Sequence, residues 1–231
     1  MGPPAAGKGT QSELIVKNFL VPHISTGDMF RAAITNKTPL GLKAKEYTDA
    51  GLLVPDEVTI GLVEERLSKD DCKNGFLLDG FPRTIPQAEA LDKMLAKFSR
   101  KINAVVLMTA DDEVLTERIT SRRVCPECGA SYNIHTKKPA VENVCDNCHH
   151  ELIQRKDDNA DAFKVRLDAY AKQTYPIAEY YSKQGVVSEV NALQDIDKVF
   201  ADIKKILSEA KKWSTSKPNE KWKRWLRLEI N

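Results

Sequence analysis

The sequence predicts an α/β protein built on a parallel sheet with helices on both faces. Stretches with helical periodicity alternate with short runs rich in aliphatic residues, which is the order of βαβ units. The short runs at 76–78 and 104–108 are apolar throughout, and strands of a parallel sheet that is covered on both faces have this composition. A chain of 231 residues is long enough for one such core with room for inserted segments.

The expected elements follow from local patterns. A helix over about 9–19 is followed by a short extended piece near 21–24 and by further helix from Gly27. Asp56 and Glu57 favour the first turn of a helix that runs to Leu67, because carboxylates there complement the helix dipole. Runs rich in aliphatic residues at 76–79, 104–108 and 186–190 predict strands, and a polar helix is expected over 158–183, where Pro176 kinks or ends it.

The segment 121–158 differs in composition from the rest of the chain. It is rich in Cys, Pro, Asn and His, and it has too few apolar residues for a core of its own. Its cysteines form the pattern C-x₂-C-x₁₆-C-x₂-C, which predicts a tetrahedral, structural zinc site with no open position. Metal-free thiols or a disulfide pair are alternatives, as is His149 or His150 in place of the last cysteine. The proposed ligands are Cys125, Cys128, Cys145 and Cys148.

A glycine-rich stretch, GPPAAGKGTQ, occupies residues 2–11. A turn of this kind before a helix points backbone N–H groups at one spot, where the helix dipole also favours an anion. The phosphate-loop pattern G-x-x-x-x-G-K-[ST] matches at Gly2, Gly7 and Lys8 but has Gly9 in place of the hydroxyl residue, and Thr10 comes one position later. A simple turn with a solvated lysine is the alternative.

Arginines are spread over several separate segments. Phosphoryl transfer requires positive charge on several sides of the transferred phosphoryl group, which such arginines can supply. Arg83 follows the strand end LLDGFP, where open α/β sheets place ligands, and Asp79 ends that strand. Arg155 and Arg166 are eleven residues apart and share a face if one helix carries both. A solvated charge is the alternative for each arginine, and a helix cap is the alternative for Asp79.

Five segments in order, GPPAAGKGTQ, HISTGDMFRAA, GLLVPDEVT, FLLDGFPRT and RKDD, resemble adenylate kinases. The cysteine segment resembles the long, zinc-containing bacterial form, and the similarity runs from Met1 to about Leu207. The resemblance implies a P-loop, doubly wound parallel sheet over 1–210, with a helical AMP-binding insertion at 25–54 and a zinc lid at 121–158. It also implies a cytoplasmic monomer that interconverts ATP plus AMP with two ADP, using Mg²⁺.

The resemblance implies roles for individual residues. Phosphoryl transfer falls to Lys8, Asp79, Arg83, Arg122, Arg155 and Arg166, with Asp79 orienting Mg²⁺-bound water. ATP is bound by Ala5, Ala6, Gly7, Lys8, Gly9, Thr10, Arg118, Arg122, Ser131, Tyr132 and Gln194. AMP is bound by Thr26, Arg31, Leu52, Leu53, Val54, Gly80, Phe81, Pro82, Arg83, Gln87, Arg155 and Arg166. Asp157 and Asp158 are expected at the lid hinge, capping the helix that begins there. From the residues alone, we would expect Gln87 to be an exposed glutamine on a helix.

Two features depart from the family pattern. Ala5 stands where the family usually has glycine. If the backbone at this position needs a positive φ, we expect the alanine to weaken phosphate binding. Met1 comes directly before the phosphate loop, where relatives have an apolar strand. We therefore expect an N-terminally incomplete chain that is less stable than its relatives. The C-terminal LRLEIN is a poor substitute, since Arg227 and Glu229 do not suit a central strand.

Other functions remain as alternatives. A kinase that uses GTP as donor or another nucleoside monophosphate as acceptor is the nearer one. The remote alternative is a zinc-ribbon nucleic-acid module, but residues 124–153 have two Lys, no Arg and four acidic residues, with Tyr132 as the one aromatic. No apolar run is long enough for a membrane span or a signal peptide.

The C-terminal extension, 211–231, has a net charge of +5, whereas residues 1–210 have −3. The basic balance therefore gives no support to nucleic-acid binding by the main body. Trp213, Trp222 and Trp225 all lie in this extension. A membrane-interface or partner-binding segment is one interpretation, and a sequence without a selected role is the slightly preferred one.

Overall fold

A computed structural model describes residues 1–212 of the chain. The helices are α1 Lys8–Phe19, α2 Thr26–Thr35, α3 Pro39–Asp49, α4 Asp56–Leu67, α5 Ile85–Lys97, α6 Asp112–Thr120, α7 Ala160–Ala169, α8 Pro176–Ser182 and α9 Ile196–Lys212. The strands are β1 His23–Ser25, β2 Leu77–Asp79, β3 Val105–Thr109, β4 Arg122–Val124, β5 Ser131–Asn133 and β6 Val187–Asn191. The predicted order of helices and strands is confirmed. Expectations for the tail tryptophans and for LRLEIN concern residues outside this range.

The parallel strands form two pairs, β1 with β2 and β3 with β6. Met1 lies along the free edge of β3, where its carbonyl accepts a hydrogen bond from the Met108 N–H at 2.9 Å and its amino group donates to the Val106 carbonyl at 2.6 Å. Next along the chain, α1 packs against β2. The start of the chain and α1 therefore connect the two strand pairs.

Helices cover both faces of the β3–β6 pair, so the doubly wound arrangement is confirmed. On one face, α1, α6 and α9 contribute Ile15, Leu115 and Ile203 to a buried cluster with Met108 and Val190. On the other face, residues of α5 and α8 pack against β3. A third cluster joins α4 and α5 to the β1–β2 pair. Burial on both faces fits the apolar sequence of β3, in which Val105, Leu107 and Met108 are buried.

Two segments stand out from this core. Helices α2 and α3 pack on each other with a small cluster formed by Phe30, Ala44 and Val54. The lid, residues 121–158, contains the antiparallel β4–β5 pair. The prediction that the lid lacks an apolar core is wrong in detail, since Tyr132 and Leu152 pack around two of the cysteines.

Helical structure over 160–182 confirms most of the helix predicted over 158–183, including its interruption near Pro176, but its start and its cap differ from the prediction. α7 begins at Ala160 and is capped by Asn159, whose side-chain oxygen accepts from the Ala162 N–H at 2.9 Å, and not by Asp157 or Asp158. A π-helical turn, Tyr170–Thr174, separates α7 from α8, which begins at Pro176. Proline suits a first helical position because the N–H it lacks would have no partner there.

Within residues 1–212, no helix has both the length and the apolar character that crossing a membrane requires.

Candidate active site

The phosphate loop turns into α1 at Gly7, whose φ is 87°. In the described structure, no side chain caps α1, so the N–H groups of its first turn are free to bind an anion. Ala5 has φ of 63°, in the left-handed region that favours glycine. The condition under which the alanine is unfavourable is therefore met.

Lys8 folds back over this loop. Its ammonium donates to the carbonyl oxygens of Gly2 at 2.8 Å and Pro3 at 2.6 Å. Burial lowers the pKa of Lys8 to about 8, although the nearby Asp79 carboxylate opposes the shift. A phosphate group that enters the loop would replace these carbonyls as the partner of the ammonium.

Asp79 ends β2 and faces the same space. Burial by itself raises the pKa of Asp79, but His23 and Lys8 outweigh this and hold it at about 2, so the carboxylate is ionised. His23 Nε2 lies 3.5 Å from Asp79 Oδ2. The pairing of β1 with β2 brings His23 to this place, which the sequence does not predict. The helix-cap alternative for Asp79 is wrong, since Thr84 caps α5.

A compact turn at Gly80 positions Arg83. The Gly80 carbonyl accepts from Thr26 Oγ1 and from Arg83 Nε, both at 2.8 Å. A Cβ at residue 80 would lie 2.9 Å from Arg83 Nη2, so glycine permits this approach. The Thr174 hydroxyl donates to the Arg83 carbonyl at 2.9 Å. Thr174 comes from the π-helical turn and was not found from the sequence.

Gln87 is 2% exposed, so the alternative of an exposed helical glutamine is wrong. Its Oε1 accepts from the Arg83 N–H at 2.8 Å, and its Nε2 donates to Asp56 Oδ1 at 2.7 Å. Residues 52–54 connect α3 to α4. Gly51, just before them, packs on α7, where an added Cβ would lie 3.2 Å from Arg166 Cγ.

The remaining arginines come from the lid and the residues that follow it. Arg122 Nε donates to Asp158 Oδ2 at 2.7 Å, and Arg166 Nη1 donates to Asp157 Oδ2 at 2.9 Å. Burial, together with the charges of Arg31 and Arg122, lowers the pKa of Arg155 to about 10.

The condition under which Arg155 and Arg166 would share a helix face is not met, because Arg155 precedes α7. The lid arginines nevertheless share one region with Arg31, which forms an ion pair with Asp28.

The predicted ATP residues outside the loop lie near β6 and in the lid. Arg118 Nη1 donates to the Ala192 carbonyl at 3.0 Å, and the Gln194 side chain bonds to Asp202 Oδ2 at 3.0 Å. Tyr132 is 5% exposed and its hydroxyl accepts from the Asp146 N–H, so its ring belongs to the lid core.

A further ion pair connects the lid to the main core. Lys137 Nζ in the lid lies 3.0 Å from Glu13 Oε2 on α1. The same helix begins at the phosphate loop.

The four lid cysteines converge. Their sulfur atoms all lie within 4.8 Å of one another. The Cys125–Cys148 and Cys128–Cys145 sulfur pairs are 3.3 and 3.5 Å apart. Four thiolates on one zinc ion place sulfurs about 3.8 Å apart, whereas a covalent S–S bond is about 2.05 Å. All five cysteines are free, so the disulfide alternative is wrong. Within residues 1–212, His149 and His150 do not belong to the cluster.

Comparison with known proteins gives a consistent result. The family model described as adenylate kinase matches residues 1–186. An adenylate kinase of Clostridium botulinum (strain Loch Maree / Type A3) is 56% identical over 211 residues, covering 91% of this chain and 98% of the relative. An adenylate kinase of Geobacillus sp. (strain WCH70) is 58% identical over 207 residues, covering 90% of this chain and 96% of the relative. A family match over most of the chain, together with these identities, shows that the chain belongs to the adenylate kinase family.

Proposed function

We propose a role for each residue of this site in the reaction ATP + AMP = 2 ADP, which family membership assigns to the chain. The observation that carries the proposal is the gathering of cations from separate segments near the phosphate loop and the ionised Asp79. Lys8 comes from the phosphate loop, Arg83 from the turn after β2, and Arg122 from the lid. Such a cationic space suits two phosphate chains that meet end to end.

The donor half is the phosphate loop with the start of α1. Its free N–H groups and Lys8 bind the β- and γ-phosphates of ATP. Asp79, fixed as a carboxylate beside Lys8, is suited to hold water bound to Mg²⁺, which neutralises phosphate charge when it is present. The implied ATP contacts of Arg118, Ser131 and Gln194 are part of this proposal.

The acceptor half lies between α2, α4 and α5. Arg31 and Arg83 bind the AMP phosphate, and Gln87, Thr26 and the backbone at 52–54 contact its base and ribose. AMP attacks through an oxygen that is already anionic, so no residue has to remove a proton. Arg122, Arg155 and Arg166 stabilise the charge on the transferred group. A closed lid excludes the water that would otherwise hydrolyse ATP.

The lid cysteines are proposed to hold a structural Zn²⁺. Four sulfurs within 4.8 Å of one another fit this ion, and four thiolate ligands leave no position for substrate. Metal binding would then supply the stability that the small lid core lacks. As part of the same proposal, the chain acts as a cytoplasmic monomer on nucleotides and not on nucleic acid.

A dinucleotide of two adenosines joined by five phosphates tests the arrangement, since it spans both halves. We expect one molecule to bind per chain, more tightly than ATP or AMP, in calorimetric titration. Arg122→Met and Arg31→Met should each weaken it at least tenfold. Binding of two molecules, or equal affinity in both variants and the parent, contradicts the proposal. A diguanosine analogue, titrated in parallel, tests the alternative nucleotide specificity.

A further inference from the structure

Asp56, the first residue of α4, holds Gln87 from the side opposite Arg83. Asp56 Oδ1 accepts from Gln87 Nε2 at 2.7 Å, and Oδ2 accepts from Thr84 Oγ1 at 2.8 Å. On the other side of the amide, the Arg83 N–H donates to Gln87 Oε1 at 2.8 Å. The Gln87 side chain therefore bridges a carboxylate and a backbone N–H.

These two neighbours permit one orientation of the amide. A carboxylate only accepts hydrogen bonds and a backbone N–H only donates, so the oxygen must face Arg83 and the nitrogen must face Asp56. If the amide turned by 180°, Oε1 would face the Asp56 carboxylate and the NH₂ group would face the Arg83 N–H. Because Gln87 is 2% exposed, water does not replace the lost bonds. Each one costs about a factor of ten in population.

The fixed amide keeps one lone pair on Oε1 and one N–H on Nε2 for a ligand. A 6-aminopurine offers an amino donor beside a ring-nitrogen acceptor, which matches this pair. A 6-oxopurine offers the reverse order, an oxygen acceptor beside an N–H donor. We infer that Asp56 is a positioning residue that, through Gln87, makes the acceptor site select 6-aminopurine over 6-oxopurine nucleotides. The inference depends on the role of Gln87 under the proposed function.

Calorimetric titration of the full chain with AMP and with inosine monophosphate tests it. The readout is the ratio of the two dissociation constants, which does not depend on the folded fraction of a variant. Asp56→Asn introduces an amide that can turn together with Gln87 and pair with it in either orientation. We expect the preference for AMP to fall about tenfold, because one of the two orienting contacts is lost.

Thr84→Val is the matched control. It removes the other partner of Asp56 and the cap of α5 but leaves the Asp56–Gln87 bond. The melting temperature should therefore fall, while the ratio of the two dissociation constants should not change. An equal fall of the ratio in Thr84→Val would show general loosening and overturn the inference.

Gln87→Leu separates this inference from the proposed function. If it abolishes the preference while Asp56→Asn preserves it, Asp56 does not position Gln87 but the base-binding site stands. If neither variant changes the ratio, both the inference and the role of Gln87 are wrong. A fall in Asp56→Asn and Gln87→Leu, with Thr84→Val unchanged, is the expected result.

Discussion

Arg122 of β4 and Asp158, just before α7, form a bidentate ion pair at the two ends of the lid. Arg122 Nε donates to Asp158 Oδ2 at 2.7 Å, and Nη2 bonds to the second oxygen. The Asp158 side chain is 0% exposed, and Arg166 Nη1 lies 3.6 Å from it. One buried carboxylate thus contacts two of the arginines to which the proposed function gives a role in phosphoryl transfer.

Replacement of Asp158 by alanine should lower the free energy of unfolding by about 3–5 kcal/mol, since it leaves buried guanidinium charge without a partner. Urea denaturation measures this. Asp157→Ala is the control, because that side chain is 25% exposed and, within residues 1–212, pairs with Arg166 alone. It should cost about 1 kcal/mol or less. Equal losses in the two variants would contradict the special role of Asp158.

Glycine at residue 5 should stabilise the chain. Alanine with φ of 63° carries a steric penalty of about 1–2 kcal/mol that glycine does not, offset in part by the greater freedom of unfolded glycine. We expect Ala5→Gly to raise the free energy of unfolding by about 1 kcal/mol and to tighten ATP binding.

Denaturation midpoints and ATP titration check this prediction, with Ala6→Gly as the control. Ala6 is 1% exposed and its φ is not positive, so that change should destabilise the chain. A destabilised Ala5→Gly variant would show that the loop tolerates the alanine without strain.

ATP affinity should depend on pH through Lys8. Its pKa is about 8 without nucleotide, because burial disfavours the charge, and a bound phosphate raises it. ATP binding therefore takes up a proton above pH 8, and affinity should be flat just below that pH. It should then fall by up to about tenfold per pH unit above it.

Calorimetric titration between pH 7.5 and 9.5 measures this slope, in a range where the ATP phosphates are already ionised. Lys8→Met should bind ATP weakly and without the slope. A slope that persists in Lys8→Met would assign the titration to another group.

Zinc removal should unfold the lid before the core. We expect one zinc per purified chain by atomic absorption, and none in Cys145→Ser, which lacks a ligand buried in the lid cluster. The variant should melt at lower temperature because metal binding contributes to folding. Cys72→Ala should keep the metal, since Cys72 lies in the α4–α5 cluster. Zinc retained in Cys145→Ser would mean that the four thiolates are not the ligand set.

Much of the fold could be predicted because it depends on local pattern. Acidic residues at 56 and 57 begin α4 as predicted, and the apolar runs form β2, β3 and β6. The error at 158–183 has a physical cause. Asn159, an equally good cap, starts α7, whereas Asp158 pairs with Arg122, which is 36 residues away, and Asp157 pairs with Arg166.

The candidate site likewise combines features that local spacing predicts with contacts that it cannot predict. Spacing alone identified the cysteine cluster, which the structure brings together. His23 beside Asp79, Thr174 on the Arg83 carbonyl and Asp56 on Gln87 could not be predicted, because each contact joins elements far apart in the chain. The sequence predicted the consequence of a left-handed backbone at Ala5 but not that backbone itself, since an alanine does not indicate positive φ.

Phosphorus-31 NMR of the full 231-residue chain with Mg²⁺, ATP and AMP tests the central claim most directly. The arrangement of a donor loop and an acceptor pocket around one set of cations predicts that each ATP consumed with AMP yields two ADP. It also predicts that ATP alone releases almost no inorganic phosphate. Release of inorganic phosphate without AMP, or no ADP when both nucleotides are present, would contradict it.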